Sequence, residues 1–316
     1  MTARYGHKYG LIDNPGERSS HEIPVPKGGG VGILAAFVLS SIMLKIPSGF
    51  WLSASFLSLI SLFGDKSDLS PKLRIVVQFL AAISFLITSR SFWHAPGQSL
   101  WLSTLLILSL LIFIVGTANF YNFMDGINGI AAISGIVAFG LLALYCITSH
   151  KDRFYVVLSL CVSLSCLGFL PFNVSKAKVF IGDAGSIFLG FVFAGMVTIL
   201  SGSFVNFTCL ASFLFPFYAD ELSTMAVRLK DGENLLRPHR RHLYQLLANE
   251  KGITHWKISA GFGIVQLIVG ASVLIIQPFG IIAILSVLAA CFAVFIWGSV
   301  FIRRNLGLSG TEFGSV

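Results

Sequence analysis

The sequence predicts an all-α, polytopic integral membrane protein with about ten transmembrane helices and both termini in the cytoplasm. Only 11% of its 316 residues are charged and 55% are hydrophobic, whereas a soluble domain carries about a quarter charged residues. The apolar residues are gathered into runs of membrane-spanning length, and the basic residues favour alternate connections between these runs. These observations exclude an ordinary soluble enzyme.

The apolar runs define the elements in order. A bilayer core about 30 Å thick is crossed by roughly 20 apolar residues in a helix, with about 17 to 25 tolerated. Ten runs approach this length, at 29–45, 49–63, 74–91, 99–118, 129–148, 154–172, 185–201, 203–219, 258–277 and 279–301. No segment between the runs resembles a separate soluble domain, so residues 1–316 are predicted to form a single membrane-embedded domain.

The basic residues predict the orientation, because cytoplasmic loops carry an excess of Lys and Arg. With a cytoplasmic N-terminus, and with Arg74 at a span boundary counted with the loop before it, the inner segments hold 18 of the 22 Lys and Arg residues; these segments are 1–28, 64–73, 119–128, 173–184, 220–257 and 302–316. This predicts an N-terminal cytoplasmic loop at 1–28, a large cytoplasmic loop at 220–257 and a tail at 302–316. The net charge of +8 is attributed to topology and to the lipid bilayer, and no nucleic-acid partner is expected.

Acidic residues mark the places where predicted spans meet cytoplasmic loops. They are Asp65, Asp125, Asp183, Asp220 and Glu221. Charged side chains are costly within hydrocarbon, and transporters place their sites near the bilayer midplane. The placement at the span edges therefore predicts a polar site at the cytoplasmic surface, where a soluble anionic reactant would meet a lipid reactant.

Three of these acids have distinctive neighbourhoods. Asp125 lies in the segment 119–129, NFYNFMDGING, which carries amides at helical spacings and glycines that let a backbone approach a ligand. Asp183 lies between two glycines at a predicted helix start, which suits a metal–phosphate site. A helix-capping role for both, and a solvated loop for Asp65, are the alternatives that the residues alone leave open.

A cluster of basic and imidazole side chains lies within the large predicted loop. The segment 237–245 reads RPHRRHLYQ. Arginine forks suit phosphate oxygens, and histidine exchanges protons near pH 7. The alternative is a basic juxtamembrane stretch that attracts anionic lipid. His255 stands alone near the end of the same loop and is expected to be a solvated loop residue, and the five cysteines, all inside apolar runs, are not expected to bind metal or form disulfides.

Five segments in chain order resemble the motifs of the polyprenyl-phosphate N-acetylhexosamine-1-phosphate transferases, glycosyltransferase family 4. They read DNPGERSSHEIPVPKGGG, GDKSDLSPKLR, NFYNFMDGINGIA, FNVSKAKVFIGDAGSIFLG and HRRHLYQLL, and extend from residue 13 to about 247. The resemblance implies transfer of a sugar-1-phosphate from a UDP-N-acetyl sugar to undecaprenyl phosphate in the bacterial cytoplasmic membrane, with release of UMP. The HRRHLYQ form resembles the O-antigen-initiating branch, whose members use N-acetylated deoxyhexosamines.

The resemblance also implies a cofactor and residue roles. The cofactor is Mg²⁺, with Mn²⁺ as an alternative ion, and by position Asp183 is the metal ligand. The implied nucleotide- and sugar-binding residues are Asn119, Asn122, Asn128, Asn173, Lys178 and Phe180, the last by stacking on uracil. The implied catalytic residues are Asp65, Asp125, His239, Arg240 and His242. A homodimer is one of the open quaternary states.

Two departures from the family pattern bear on activity. The usual Asp-Asp pair is Gly64-Asp65 here, so its first carboxylate is missing, and Asn128 stands where many members have Asp. Asp68, one helical turn after Asp65, is a weak substitute for the missing carboxylate. The sequence therefore leaves open two alternatives to an active transferase, namely a transporter or lipid flippase and a catalytically degenerate scaffold.

Overall fold

The computed structural model describes residues 11–13, 15, 23–67, 69–89, 99–174, 176–234 and 239–307. Within these residues the chain is helical almost throughout. Its sheet is a pair of two-residue antiparallel strands, β1 (Ile12–Asp13) and β2 (Val25–Pro26). The predicted all-α class is therefore confirmed. Asp68, the weak substitute for the missing carboxylate, lies outside the described residues.

The α-helices of the described residues follow the order of the predicted spans. They are α1 (Gly30–Met43), α2 (Ser48–Ser67), α3 (Pro71–Thr88), α4 (Leu100–Phe123), α5 (Ile130–Thr148), α6 (Arg153–Phe169), α7 (Asp183–Leu200), α8 (Phe204–Ala211), α9 (Phe215–Lys230), α10 (Leu243–Gln245), α11 (His255–Ile276) and α12 (Ile281–Asn305). Short 3-10 turns extend α6 (Leu170–Phe172) and α11 (Gln277–Phe279), and a π-helical turn (Leu246–Glu250) continues α10.

Seven helices of the described residues are long and apolar enough to cross a membrane, namely α3, α4, α5, α6, α7, α11 and α12. Each overlaps one of the predicted runs, so the polytopic membrane architecture is confirmed, with seven spans by length and composition where about ten are predicted. The helix α1 has 14 residues and is shorter than a span. The helix α2 has 20 residues, but its last turn is the polar sequence Gly-Asp-Lys-Ser.

The predicted run at 203–219 is divided, which accounts for the third missing span. The helix α8 ends at Ala211, a 3-10 turn covers Ser212–Leu214, and α9 begins at Phe215 with Pro216 in its first turn. Proline is favoured there because its fixed φ suits a helix start and its missing N–H needs no partner. Since α9 continues to Lys230, the first part of the predicted loop 220–257 is helical, and five of its polar residues are buried: Asp220, Glu221, Ser223, Thr224 and Arg228.

The helix α7 lies at the centre of the fold. Nearly every one of its residues is buried, as expected for a helix that is apolar all round. Small residues let its neighbours approach closely: a Cβ added at Gly190 would lie 2.7 Å from the Thr117 backbone oxygen of α4, and one at Gly195 would lie 2.4 Å from the Phe50 ring of α2. This packing places the N-terminus of α7 beside the C-terminal ends of α2 and α4.

The N-terminal segment is joined to the approach to α7. The Phe180 N–H donates to the Pro26 carbonyl oxygen at 2.8 Å, and the Gly29 N–H donates to the Phe180 oxygen at 2.8 Å. The Gly30 N–H continues the pattern with the Ile181 oxygen at 3.0 Å. The predicted loop 1–28 is therefore ordered where it is described, because its backbone pairs with residues 180 and 181 just ahead of Asp183.

Candidate active site

A polar cavity of about 300 Å³ opens where the ends of α4, α7 and α11 meet. Six predicted site residues line it: Asn122, Asp125, Asn128, Asn173, Phe180 and Asp183. Asp13, Lys27, Gln245 and His255 line it as well. The structure thus brings together residues that lie between positions 13 and 255 of the chain, and the cavity is the candidate active site.

Asp183 is the first residue of α7, where the helix dipole favours a negative charge. Its Oδ1 accepts a hydrogen bond from the Asn122 amide at 3.0 Å, and the same Nδ2 donates to the Ser186 hydroxyl at 2.8 Å. Gly182, just before it, has φ of +74°, and a Cβ there would lie 2.8 Å from a carboxylate oxygen of Asp65. Glycine at position 182 therefore permits both the turn and the close approach of the two acids.

Arg74 of α3 holds the other oxygen of Asp183. Its Nη1 donates to Asp183 Oδ2, its Nε donates to the Leu69 carbonyl oxygen at 3.2 Å, and its Nη2 donates to the Gly64 oxygen at 3.4 Å. Arg74 lies in the predicted motif GDKSDLSPKLR, which by itself indicates no role for this residue. The ion pair joins residues 109 positions apart, so spacing carries no signal of it.

Asp65 and Asp125 complete a cluster of acids around Asp183. The Ala184 N–H donates to Asp65 Oδ2 at 3.5 Å. Burial and the nearby Asp183 charge raise the pKa of Asp65 to about 7, against the opposing effect of Lys27. Burial, followed by the charges of Asp183 and Asp65, raises the pKa of Asp125 well above its usual range. Because the acids repel one another, the site would gain from a bound cation.

The acid cluster bears on the predicted Mg²⁺. Among the residues that the structure describes, no group of three or more His, Cys, Asp or Glu side chains is placed to hold a metal by itself. Mg²⁺ in phosphoryl-transfer sites is usually bound through one or two carboxylates, waters and the substrate's own phosphates. Asp183 and Asp125, both on the cavity wall, match that donor set, so the residues present fit the ion.

The amides of the predicted nucleotide site also organise the cavity wall. Asn173 Oδ1 accepts the Gly129 N–H at 2.6 Å, and its Nδ2 donates to the Val179 oxygen at 3.1 Å. Gly129 has φ of +87°, which favours glycine at that turn. Asn173 therefore joins the loop after α4 to the loop before α7, which positions Asp125 relative to Asp183.

His255 lines the cavity, although its position in the sequence predicts a solvated loop residue. It is the first residue of α11, and its Nδ1 accepts the Asn128 N–H at 3.4 Å. The Ser259 hydroxyl, one turn later, donates to the Asn128 oxygen at 2.8 Å. The expectation of a solvated loop residue is wrong, because α11 begins earlier than the predicted run 258–277 and so presents His255 to the cavity.

Asn119 and Lys178 are not among the residues that line the described cavity. The Asn119 side chain forms a reciprocal amide pair with Gln78, so that it joins α4 to α3, and it also donates to the Val115 oxygen at 2.8 Å. Lys178 is exposed on the loop before α7. Both were predicted to bind nucleotide or sugar. Position in a motif cannot reveal that the Asn119 amide is already engaged by a neighbouring helix.

His242 is buried among protein partners. Its Nε2 lies 3.4 Å from Glu221 Oε2, its Nδ1 lies 3.8 Å from Asp220 Oδ1, and its ring stacks on Tyr244 with centroids 5.6 Å apart. Asp220 also accepts the N–H groups of Leu243 and Tyr244 at 2.7 and 3.2 Å, which caps α10. His242 therefore belongs to a buried network between α9 and α10, and it is not among the described cavity-lining residues.

His239 and Arg240, which were also predicted to be catalytic, lie beside His242. The two imidazole rings are 4.7 Å apart, and His239 Nδ1 accepts the Arg241 N–H at 3.3 Å. Burial, with the nearby His242, lowers the pKa of His239 to about 4. Arg240 is half-buried. Neither residue is among those lining the described cavity, and direct contact of the three residues with the reacting phosphates or sugar stays a prediction.

Tyr244 and Gln245 link this network to the cavity. The Tyr244 hydroxyl donates to the Phe123 oxygen at 2.9 Å at the end of α4, and Gln245 lines the cavity. A Cβ at Gly126 would lie 2.2 Å from the Tyr244 hydroxyl oxygen. The glycine after Asp125 thus permits the close approach of Tyr244. The histidine segment, residues 239–245, is therefore connected to the cavity through Tyr244 and Gln245.

The fold and the cavity together define a polytopic α-helical membrane protein that gathers carboxylates, amides and basic side chains at one end of its helices. Such a site suits charged phosphate compounds. The sequence model described as glycosyl transferase family 4 matches residues 48–201. On this match and on the similarity to the curated relatives, the chain belongs to glycosyl transferase family 4.

Three relatives illustrate the similarity. The decaprenyl-phosphate N-acetylglucosaminephosphotransferase of Mycobacterium leprae is 30% identical over 274 residues, which are 74% of this chain and 69% of the relative. The undecaprenyl-phosphate alpha-N-acetylglucosaminyl 1-phosphate transferase of Thermotoga maritima is 29% identical, over 80% of this chain and 77% of the relative. The phospho-N-acetylmuramoyl-pentapeptide-transferase of Chlamydia trachomatis is 29% identical, over 77% and 80%. The family prediction is confirmed, and the O-antigen branch stays a prediction.

Proposed function

We propose that this protein transfers an N-acetylhexosamine-1-phosphate from a UDP-sugar to undecaprenyl phosphate, with release of UMP, in the bacterial cytoplasmic membrane. The names of the three relatives support the reaction class. All three are named as transferases, two of them for a polyprenyl phosphate and N-acetylglucosamine phosphate and the third for phospho-N-acetylmuramoyl-pentapeptide. The observation that carries the proposal is Asp183 at the N-terminus of a buried helix, held by Asn122 and Arg74 at the edge of the cavity.

The chemistry is a displacement at phosphorus. An oxygen of the acceptor phosphate attacks the phosphorus that bears the sugar, and the bond from that phosphorus to the bridging oxygen breaks. The leaving UMP keeps the electron pair. A phosphate monoester has a second pKa of about 6 and is largely dianionic at neutral pH, so the attacking oxygen needs no general base. The reaction is therefore compatible with glycine at position 64.

The main physical obstacle is repulsion between two anionic reactants, and basic groups at the cavity oppose it. Lys27 lines the cavity, where it pairs with Asp13 at 2.9 Å, and Arg74 pairs with Asp183. Preorganised charges of this kind stabilise charge that develops on phosphoryl oxygens. Mg²⁺, or Mn²⁺ in its place, would be held by Asp183 and Asp125 and would supply further positive charge beside the pyrophosphate.

The remaining cavity residues would position the donor. Phe180 lies on the wall between the strand pair and α7, and we assign its ring to stacking on uracil. The Asn128 side chain and His255 are placed to contact the nucleotide or sugar, while Asn122 orients the Asp183 carboxylate. The proposed donor is a UDP-N-acetylhexosamine. In the narrower form of the proposal, the sugar is an N-acetylated deoxyhexosamine and the lipid product starts O-antigen synthesis.

The direct test is release of UMP by the purified full-length chain in detergent or nanodiscs. The protein is supplied with undecaprenyl phosphate, Mg²⁺ and a panel of UDP-acetamido sugars that includes deoxyhexosamine donors. We expect UMP release that requires the acceptor lipid and at least one donor. Absence of UMP with every donor would contradict the proposal, and lipid movement without UMP release would favour a flippase.

A further inference from the structure

The ion pair between Arg74 and Asp183 lies at the mouth of the cavity and is partly exposed. The Arg74 side chain is 33% exposed and the Asp183 side chain is 24% exposed. Both oxygens of Asp183 are engaged, Oδ2 by Arg74 and Oδ1 by Asn122. Asp183 is also the side chain assigned to the metal, so the guanidinium occupies an oxygen that the ion would use.

Position 64 lies beside the Arg74 guanidinium, and its glycine offers no carboxylate there. A Cβ built on Gly64 would lie 3.7 Å from both Nε and Nη2 of Arg74, and 3.3 Å from the Leu69 Cδ1. A carboxylate carried on that Cβ would sit beside the guanidinium and compete with Asp183 for it. With glycine at position 64, the guanidinium donates to the carbonyl oxygens of Leu69 and Gly64. The carboxylate with which it forms an ion pair is that of Asp183.

We propose that Arg74 is an exchangeable counter-ion that controls loading of the metal, and that Gly64 is the residue that sets this control. In the substrate-free protein Arg74 neutralises Asp183 and weakens binding of a divalent cation. When the donor pyrophosphate arrives, its oxygens compete for the guanidinium, and Asp183 is released to the ion. This inference rests on the proposed function, because it assigns the exchange to the same cavity.

The exchange makes metal and nucleotide diphosphate bind cooperatively. A ligand that displaces Arg74 removes the competitor of the metal, and by linkage the metal raises the affinity for that ligand by the same factor. Guanidinium groups pair readily with phosphate oxygens through parallel hydrogen bonds. A partly exposed ion pair is weak enough to be exchanged in this way. The consequence is a site that stays nearly metal-free until a diphosphate is present.

The experiment measures binding of Mn²⁺ by electron paramagnetic resonance, which reports free ion without any need for catalysis. Mn²⁺ shares the preference of Mg²⁺ for carboxylate ligands. The full-length chain in detergent is titrated alone and with saturating UDP, which carries an uncleaved pyrophosphate. For Arg74→Gln without UDP we expect Mn²⁺ to bind about tenfold more tightly than to the native protein, a change of about 1.4 kcal/mol. The gain caused by UDP should be correspondingly smaller.

Variants at position 64 provide matched controls. Gly64→Ala adds the Cβ without charge and should bind Mn²⁺ as the native protein does. Gly64→Asp should tighten binding several-fold without UDP, because the new carboxylate draws Arg74 away from Asp183. Combining Gly64→Asp with Arg74→Gln should add nothing beyond Arg74→Gln alone. Full additivity would mean that the new carboxylate binds the ion itself, which would overturn the role of Gly64.

The inference and the proposed function fail in distinguishable ways. If the native protein releases UMP but Arg74→Gln binds Mn²⁺ no more tightly than the native chain, the counter-ion role is wrong and the transferase stands. If the variants shift Mn²⁺ binding as expected but no donor yields UMP, the exchange stands and the transferase does not. If Arg74→Gln does not fold, the test uses the native protein alone. An Mn²⁺ affinity of the native protein that does not change when UDP is added would contradict the proposal.

Discussion

Two polar regions of the molecule, both predicted from sequence to belong to the active site, differ in what their side chains contact. Around Asp183 and Asp125, carboxylates and amides face a cavity, and the carboxylates repel one another. In the segment 239–245, His242 is buried against Glu221 and Tyr244. The comparison teaches that polar residues at a membrane edge can build a site or brace it, and that only their partners distinguish the two roles.

The bracing region has its own physical logic. Asp220 caps α10, and Arg303 of α12 donates to the Arg241 oxygen at 2.7 Å and to the Thr224 hydroxyl at 3.2 Å. The helix α12 has few buried residues, and Arg303 is one of them. The last helix, the histidine segment and α9 are therefore joined by one buried polar network, which positions Tyr244 and Gln245 at the cavity.

The largest effect is expected at Asp183. Replacing it by Asn keeps the size of the side chain but removes the charge that would hold the ion and one of the two oxygens that accept from Arg74 and Asn122. UMP release should therefore fall by about a thousandfold, the scale for loss of one preorganised electrostatic group. The protein should remain folded in the membrane, as judged by its thermal unfolding in detergent. Activity within tenfold of the native protein would remove Asp183 from the centre of the site.

Next in size is the effect of His242→Phe, which should lower stability rather than catalysis. It leaves the buried carboxyl group of Glu221 without the imidazole nitrogen that lies 3.4 Å from it, and an uncompensated buried polar group costs about 2–3 kcal/mol. The thermal midpoint should drop, and adding Glu221→Gln should recover part of the loss. UMP release per folded molecule should stay within about threefold. Loss of activity at an unchanged midpoint would return His242 to the catalytic centre.

A smaller effect on activity is expected for His255→Ala. The change removes a cavity-lining ring and the acceptor of the Asn128 N–H. Since one neutral hydrogen bond contributes about 1 kcal/mol, UMP release should decrease by about five- to tenfold, with KM for the donor carrying most of the change. Lys178→Ala, on the exposed loop, is the control and should behave like the native protein. Equal losses of UMP release in the two variants would contradict the assignment of His255 to the cavity and of Lys178 to the surface.

The smallest effect concerns pH and His239. Burial lowers the pKa of His239 from 6.5 to about 4, so between these values the unfolded chain binds more protons than the folded chain. Stability should therefore fall as pH decreases from 6.5 towards 4. Thermal midpoints at pH 7.5 and 5.0 test this: His239→Gln should lose less stability than the native protein over that interval. An identical loss in both proteins would mean that His239 is not held neutral.

Much of the fold was predictable because bilayer thickness imposes a length on apolar runs. The runs at 99–118, 129–148 and 279–301 each coincide with a helix of the structure. The division at Ser212–Leu214 was not predicted, since the run is apolar throughout and Pro216 suits a helix start as well as a break. The polar residues from Asp220 onward predict a loop, whereas in the structure they continue α9, and Asp220 and Glu221 are buried against protein partners.

The site was predictable to the extent that motifs carry local geometry. Asn122 and Asp125 lie close along the chain and reach the same cavity, as the motif predicts. Arg74 was missed because its contact with Asp183 depends on how α3 packs against α7. The catalytic roles of His239 and His242 stay predictions: the family resemblance implies them, and the burial of the two imidazoles among protein partners depends on tertiary packing that a motif does not carry.

The most direct test of the central claim is the mass of the lipid product. Undecaprenyl phosphate is incubated with the purified chain, Mg²⁺ and an accepted UDP-N-acetyl sugar, and the lipid is analysed by mass spectrometry. The proposed reaction predicts a lipid that gains both the acetamido sugar and one phosphate, in an amount equal to the UMP released, with none formed by Asp183→Asn. A lipid of unchanged mass, or one that gains the sugar without the phosphate, would contradict it.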